Sequence, residues 1–159
     1  MKVAPTNIKW LILDVDGVMT DGRLYYSADG EALKVFHVRD GHGIKSLLAA
    51  GIGVAIISGR RSAALDRRAR DLGIRHIQQG IEDKGAALQA LISELGITPA
   101  ECACLVDDTP DLPMMAIVGW PVAVADAHPQ VLSAARHVTQ LPGGAGAVRE
   151  LADLILGEA

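Results

Sequence analysis

Short aliphatic runs broken by glycine and polar turns dominate this chain, and their spacing predicts an alternation of strands and helices. Residues 8–15 form an apolar stretch ending in acid and glycine, which reads as a buried strand. The segments 24–26 and 32–36 flank Ala28-Asp29-Gly30-Glu31, which predicts a β-hairpin with a glycine-containing turn. A helix is expected over 43–50 with Gly51 as its stop, then a buried strand over 53–57 and a basic helix over 62–72. A short strand over 75–77 follows, and Asp83 caps a helix running to about Leu95, where Gly96 closes it. Beyond it come a strand over 102–106, a helix over 112–118 and a strand over 122–125. A helix near 129–135 precedes Val138, and the last helix covers 147–155.

Strands that alternate with helices imply βαβ units with right-handed crossovers. The expected fold is α/β: a Rossmann-like, doubly wound, mostly parallel sheet with helices on both faces, plus an early hairpin over about 23–36. The 159 residues suit a single domain, with a flexible glycine-containing tail from about 141. Half of the residues are hydrophobic but only 3% are aromatic, so the core must be aliphatic. No apolar run reaches the roughly 20 residues of a membrane span, and Met1-Lys2-Val3-Ala4-Pro5 lacks the apolar stretch of a signal peptide. A cytoplasmic protein with no membrane partner is expected. The net charge of −4 argues against nucleic acid as a partner. Cys102 and Cys104 are read as core thiols on one strand facing opposite sides of the sheet, too few for a zinc site.

Ligands of an open parallel sheet bind beyond the carboxyl ends of its strands, so the residues that follow each strand carry the chemistry. The first strand delivers Asp14 and Asp16, the second Ser58-Gly59-Arg60, and the fourth Asp107, Asp108 and Asp111. Lys84 stands at a helix N-terminus after Glu82-Asp83. Converging carboxylates repel one another unless a cation neutralises them, and an all-oxygen set suits Mg²⁺. One carboxylate can attack phosphorus while a second protonates the leaving alkoxide and then activates water. Two residues apart, Asp14 and Asp16 are expected to share a face, with Gly17 letting the chain turn sharply after them. Ser58 and Lys84 would hold the phosphoryl oxygens. A lone Asp-x-Asp is usually a loop or a cap, and a lone lysine is usually solvated. Their coincidence at successive strand ends is what points to phosphoryl chemistry.

Asp14-Val15-Asp16-Gly17-Val18, Ile57-Ser58-Gly59-Arg60, Lys84 and Asp107-Asp108-x-x-Asp111 resemble the four motifs of haloacid-dehalogenase-like phosphatases. Val38-Arg39-Asp40-Gly41, Val122-Ala123-Val124-Ala125-Asp126-Ala127-His128-Pro129 and the glycine-rich segment near Gly143 are similar to its capless branch. That branch hydrolyses 3-deoxy-D-manno-octulosonate 8-phosphate in making a sugar of bacterial lipopolysaccharide. The resemblance implies Mg²⁺ as cofactor, Asp14 as nucleophile and metal ligand, and Asp107 as another metal ligand. It makes Asp16 the general acid and base, lending its backbone carbonyl to the metal, with Asp108 and Asp111 in support. Substrate contacts are implied at Asp16, His37, Val38, Arg39, Asp40, Gly41, Lys45, Gly59, Arg60, Arg68 and Lys84. This sequence departs from the family in Val106, where glycine is usual, in His37, where asparagine is frequent, and in Lys45, where arginine is frequent.

Only the hairpin and one helix separate Asp16 from the second main strand, so no cap domain is expected. The resemblance implies instead a homotetramer in which a neighbouring subunit covers the site. Two alternatives are a phosphatase for a nine-carbon keto-acid sugar phosphate, whose relatives carry an acid where Arg60 stands, and a catalytically silent assembly module. Arg60 and Arg68 are expected to face the site. Arg61, Arg67 and Arg70 are read as solvated, and His42, His76, His128 and His137 as surface or core residues.

Overall fold

The computed structural model describes residues 5–158. The elements run in the order β1 (Trp10–Leu13), β2 (Tyr25–Ser27), β3 (Gly30–Leu33), α1 (Val38–Ala49), β4 (Gly53–Ile57), α2 (Ala63–Leu72) and β5 (His76–Gln78). They continue with α3 (Lys84–Leu95), β6 (Cys102–Val106), α4 (Leu112–Met115), β7 (Trp120–Ala123), α5 (Pro129–Ala134), β8 (His137–Val138) and α6 (Ala147–Leu156). Short 3₁₀ turns precede β6 and α4.

The main sheet is six-stranded and parallel throughout, in the order β5-β4-β1-β6-β7-β8. The chain builds outward from β1 on one side, then returns to place β6 on its other side. That reversal between β1 and β6 is where such a sheet opens a crevice for a ligand. Helix α1 packs on α6 and α2, while α3 packs on α4, so both faces are covered. Leu11, Ile12 and Leu13 are fully buried for that reason. The buried residues form one aliphatic core in which tryptophan contributes only Trp120. No cap domain interrupts the described residues.

Local start and stop signals work as expected around α3, where the Asp83 side chain accepts from the Ala86 N–H and Gly96 closes the helix at φ 64°. Several boundaries differ. Helix α1 starts at Val38 rather than at 43, with His37 as its N-cap. Its Gly41 and Gly43 are contact glycines. A Cβ on Gly41 would strike the Arg68 guanidinium, and one on Gly43 would lie 3.0 Å from the Arg149 Cα of α6. The helix expected over 112–118 is a 3₁₀ turn at Thr109–Asp111 followed by the short α4. Strand β7 begins two residues early, at Trp120, because its pairing with β6 sets the register. β8 is a short edge strand that the sequence leaves unassigned. Cys102 and Cys104 are buried and free. Two residues apart on β6, they share one face instead of opposing each other.

Hairpin β2–β3 forms a separate two-stranded antiparallel ribbon. Leu24, Tyr26, Leu33 and Val35 on it are 48%, 60%, 51% and 52% exposed. The glycine-rich segment after 141 lies against the loop that follows Asp16: the Gly144 N–H donates to the Val18 carbonyl, and Gly143 is buried. A Cβ on Gly143 would overlap the Gly17 carbonyl, so only glycine permits this approach.

Candidate active site

Asp14 leaves the end of β1, and its N–H donates to the Leu105 carbonyl of β6 at 3.2 Å. Its buried carboxylate accepts from Lys84 Nζ at 2.9 Å. Lys84, held at the first position of α3, also donates to Asp111 Oδ1 at 2.6 Å. Asp111 is 1% exposed, and its second oxygen accepts from the N–H groups of Asp107 and Asp108 at 3.4 Å each. Carboxylate oxygens of Asp14, Asp107 and Asp111 all lie within 4.8 Å of one another.

Three acids beside one lysine leave a charge imbalance. Burial, then Asp111, push the Asp14 carboxyl up to about 6, against the opposing pull of Lys84. Burial and the neighbouring carboxylates push Asp107 up to about 8. Burial disfavours the Lys84 ammonium, but Asp14 and Asp111 outweigh it and leave its pKa above the ordinary lysine value. Asp107 Oδ1 is buried with no hydrogen-bond partner. An unsatisfied carboxylate oxygen in an all-oxygen cluster fits a hard divalent cation, which would restore the ionised forms.

Asp16 has a separate set of partners. Strand β1 ends at Leu13, so both acids lie in the turn beyond it. The Asp16 carboxylate pairs with Lys34 Nζ at 2.6 Å and lies 3.7 Å from Arg60 Nε. Gly17 follows with φ 88°, and a Cβ there would overlap the Asp107 carboxylate. The close approach of the Asp16–Gly17 turn to Asp107 therefore depends on glycine.

Ser58 is buried at the end of β4, its hydroxyl facing the Arg60 N–H at 3.4 Å, and Gly59 is exposed beside it. Arg60 donates to the Tyr26 hydroxyl at 3.0 Å. Asp108 is exposed and caps the 3₁₀ turn through the Thr109 N–H. His37, Asp40, Gly41 and Arg68 line a narrow pocket with Phe36. Arg68 lies over the Phe36 ring at 5.8 Å. Val38, Arg39 and Lys45 remain exposed on α1 and do not line it. Asp40 is 2% exposed and accepts from the Arg149 N–H at 2.9 Å, so it caps the first turn of α6, which has no side-chain cap of its own. Lys34, Glu31, Tyr26 and Ser62 are the residues that sequence reasoning missed here. The available signal was Lys34 itself, a lone charge in the apolar run Ala32-Leu33-Lys34-Val35-Phe36.

The family model for haloacid dehalogenase-like hydrolases matches residues 77–150, a span containing Lys84, Asp107 and Asp111. The 3-deoxy-D-manno-octulosonate 8-phosphate phosphatase of Yersinia pestis is 53% identical over 94% of this chain and 80% of its own length. The chain belongs to this phosphatase family of haloacid dehalogenase-like hydrolases. Among solved structures, the cobalt-bound Haemophilus influenzae deoxy-D-mannose-octulosonate 8-phosphate phosphatase superposes with a TM-score of 0.94 at 50% identity. The match covers 96% of this chain and 90% of that one. The Moraxella catarrhalis 3-deoxy-D-manno-octulosonate 8-phosphate phosphatase, solved with magnesium, phosphate and the octulosonate sugar, gives 0.93 at 43% identity. That match covers 96% and 88% of the two chains. As a family member the chain is a phosphatase whose sheet, early hairpin and capless form follow the family architecture.

Proposed function

We propose that this phosphatase hydrolyses 3-deoxy-D-manno-octulosonate 8-phosphate through an aspartyl-phosphate on Asp14, in the lipopolysaccharide pathway. The observation that carries the mechanism is the cluster of Asp14, Asp107 and Asp111 with Lys84 at the β1/β6 reversal. In the proposed first step an Asp14 oxygen attacks phosphorus, and the C8 alkoxide leaves with a proton from Asp16. Asp16 then takes a proton from water, which attacks the aspartyl-phosphate and frees Asp14 and inorganic phosphate. Asp14, Asp107 and the Asp16 carbonyl are the proposed ligands of Mg²⁺, and the bound ion supplies charge neutralisation for the phosphoryl oxygens. Ser58 and Lys84 bind those oxygens, and Asp111 orients Lys84. Asp108 stands in a supporting role.

The rest of the substrate is assigned to His37, Val38, Arg39, Asp40, Gly41, Lys45, Gly59, Arg60 and Arg68, a group with enough cationic character for a sugar acid. Asp40 enters this group through its position in the pocket lining, since one of its oxygens is already used at α6. The exposed apolar residues of the hairpin support assembly through that ribbon, with a homotetramer as the proposed state and a neighbour covering the open site. No helix among the described residues is long and apolar enough to cross a membrane, and the proposed location is the cytoplasm.

Phosphate release from the octulosonate phosphate, with and without Mg²⁺, tests the assignment. Asp14→Asn is expected to abolish turnover, because an amide does not attack phosphorus. Retained turnover in that variant, or full turnover in EDTA, refutes the mechanism. Faster turnover of a nine-carbon keto-acid sugar 9-phosphate refutes the substrate.

A further inference from the structure

Lys34 is carried by the chain leaving β3, on the ribbon that otherwise presents apolar side chains to solvent. Its own side chain is only 4% exposed. A buried ammonium needs partners, and it has two carboxylates. Asp16 Oδ1 lies 2.6 Å away, and Glu31 Oε2 lies 3.4 Å away. Glu31 is fixed in turn by the Ser62 hydroxyl at 2.5 Å, and Ser62 is the N-cap of α2. Arg60 closes the group, with Nη2 3.6 Å from Glu31 and 3.0 Å from the Tyr26 hydroxyl. The ribbon is thus tied to the body of the protein through charges that surround one carboxylate, that of Asp16.

We propose that Lys34 is a positioning residue that aims the Asp16 carboxylate for proton transfer, with Glu31 and Ser62 holding the lysine in place. The inference rests on the reading of Asp16 as general acid and base. Buried Val18, Met19 and Thr20 fix the backbone just after Gly17, but residues 21–29 are all exposed and offer the Asp16 side chain no support. Without Lys34 the Asp16 carboxylate keeps only the longer approach of Arg60. Lys34 does not belong to the carboxylate cluster around Lys84, so its removal leaves the attacking group and its neighbours unchanged.

A double-mutant cycle on the Mg²⁺-loaded enzyme tests this with 3-deoxy-D-manno-octulosonate 8-phosphate. Lys34→Met is expected to lower kcat by roughly 10–100-fold, the scale of one hydrogen bond to a charged group, with KM little changed. Lys34→Arg is expected to restore much of kcat. In an Asp16→Asn background, where activity is already low, Lys34→Met should cost less than about threefold further. An equal loss in both backgrounds means that Lys34 acts on folding or elsewhere in the site and overturns the proposal. Unchanged or raised kcat in Lys34→Met overturns it as well. If Lys34→Met does not fold, Glu31→Gln, which frees the lysine but keeps its charge, is expected to show the same dependence on Asp16. Full activity of Asp16→Asn alone refutes the acid–base reading itself, an outcome separate from failure of the cycle.

Discussion

Gly17→Ala separates two costs that a glycine at a catalytic turn combines. At φ 88° an alanine sits in the left-handed region, which costs about 1–2 kcal/mol for a residue with a Cβ. In a chain of this size that corresponds to a fall in thermal midpoint of about 2–8 °C. The second cost is local. The new Cβ would overlap Asp107 Oδ2 and lie 2.6 Å from Asp107 Cγ, whereas ordinary contact begins at 3.4 Å, so the carboxylate must retreat by more than 0.8 Å or the turn must open. A displacement near 1 Å at a reacting centre costs about 10²-fold in rate, and disturbing a metal ligand's setting costs about 10–100-fold in affinity. Gly51→Ala is the matched control. Gly51 has φ 81°, but nothing lies within 4 Å of its Cβ position, so it should show the conformational cost alone. The assay is a Mg²⁺ titration of kcat alongside thermal unfolding of both variants. Gly17→Ala is expected to lose about 10²-fold in kcat/KM and to need at least tenfold more Mg²⁺. If it matches Gly51→Ala in stability and keeps wild-type turnover and Mg²⁺ response, then Asp107 does not need its observed place, and the reasoning fails.

Stability should depend on pH in an unusual direction for a carboxylate site. Asp14 and Asp107 are raised in the folded chain to about 6 and about 8, so between about pH 4 and 8 the metal-free folded state holds protons that the unfolded state has released. Stability in EDTA is therefore expected to fall as pH rises through that window, while the stabilisation by Mg²⁺ grows; a thermal midpoint in EDTA that rises from pH 5 to pH 8 would contradict this. On the hairpin, Leu33→Asp places a charge on a side chain that is 51% exposed and apolar. It is expected to shift the proposed tetramer to smaller species by light scattering, and an unchanged mass rules the ribbon out as the interface.

Much of this architecture is written in local chemistry. β4, β6 and α3 lie where their aliphatic runs and the Asp83 and Gly96 signals put them, because each boundary is decided by residues within a turn of it. The strand-end acids and Lys84 are legible for a related reason: parallel topology brings successive strand ends to one edge. The misread parts depend on distant partners. The expected start of α1 at residue 43 leaves out Gly41, which lies inside the helix where the Arg68 guanidinium takes the space of a side chain. Asp111, by contrast, keeps the supporting place expected of it: it is 1% exposed and accepts from Lys84 as Asp14 does. Asp40 sits in a motif that suggests substrate, while its clearest bond runs to a backbone N–H 109 residues away. Nothing local announces that bond, since helix α6 begins with a glycine and carries no cap in its own sequence.

The hairpin joins these two levels. Its side chains Leu24, Leu33 and Val35 are apolar and exposed, while Lys34, Glu31 and Tyr26 reach Asp16, Ser62 and Arg60. An isolated two-stranded ribbon is marginal in water, so its order must come from one side or the other. Inward, a few ion pairs of modest net strength hold it, because each buried charge sets its desolvation cost against its attraction. Outward, a contact that buried the apolar side chains would contribute about 25 cal/mol for each Å² removed from water. Order imposed from outside would therefore be felt at Asp16 through Lys34, with no cap domain needed to carry it. On the proposed reading, the same short ribbon of a capless phosphatase would have two tasks, to recruit a covering neighbour and to hold the Asp16 carboxylate still.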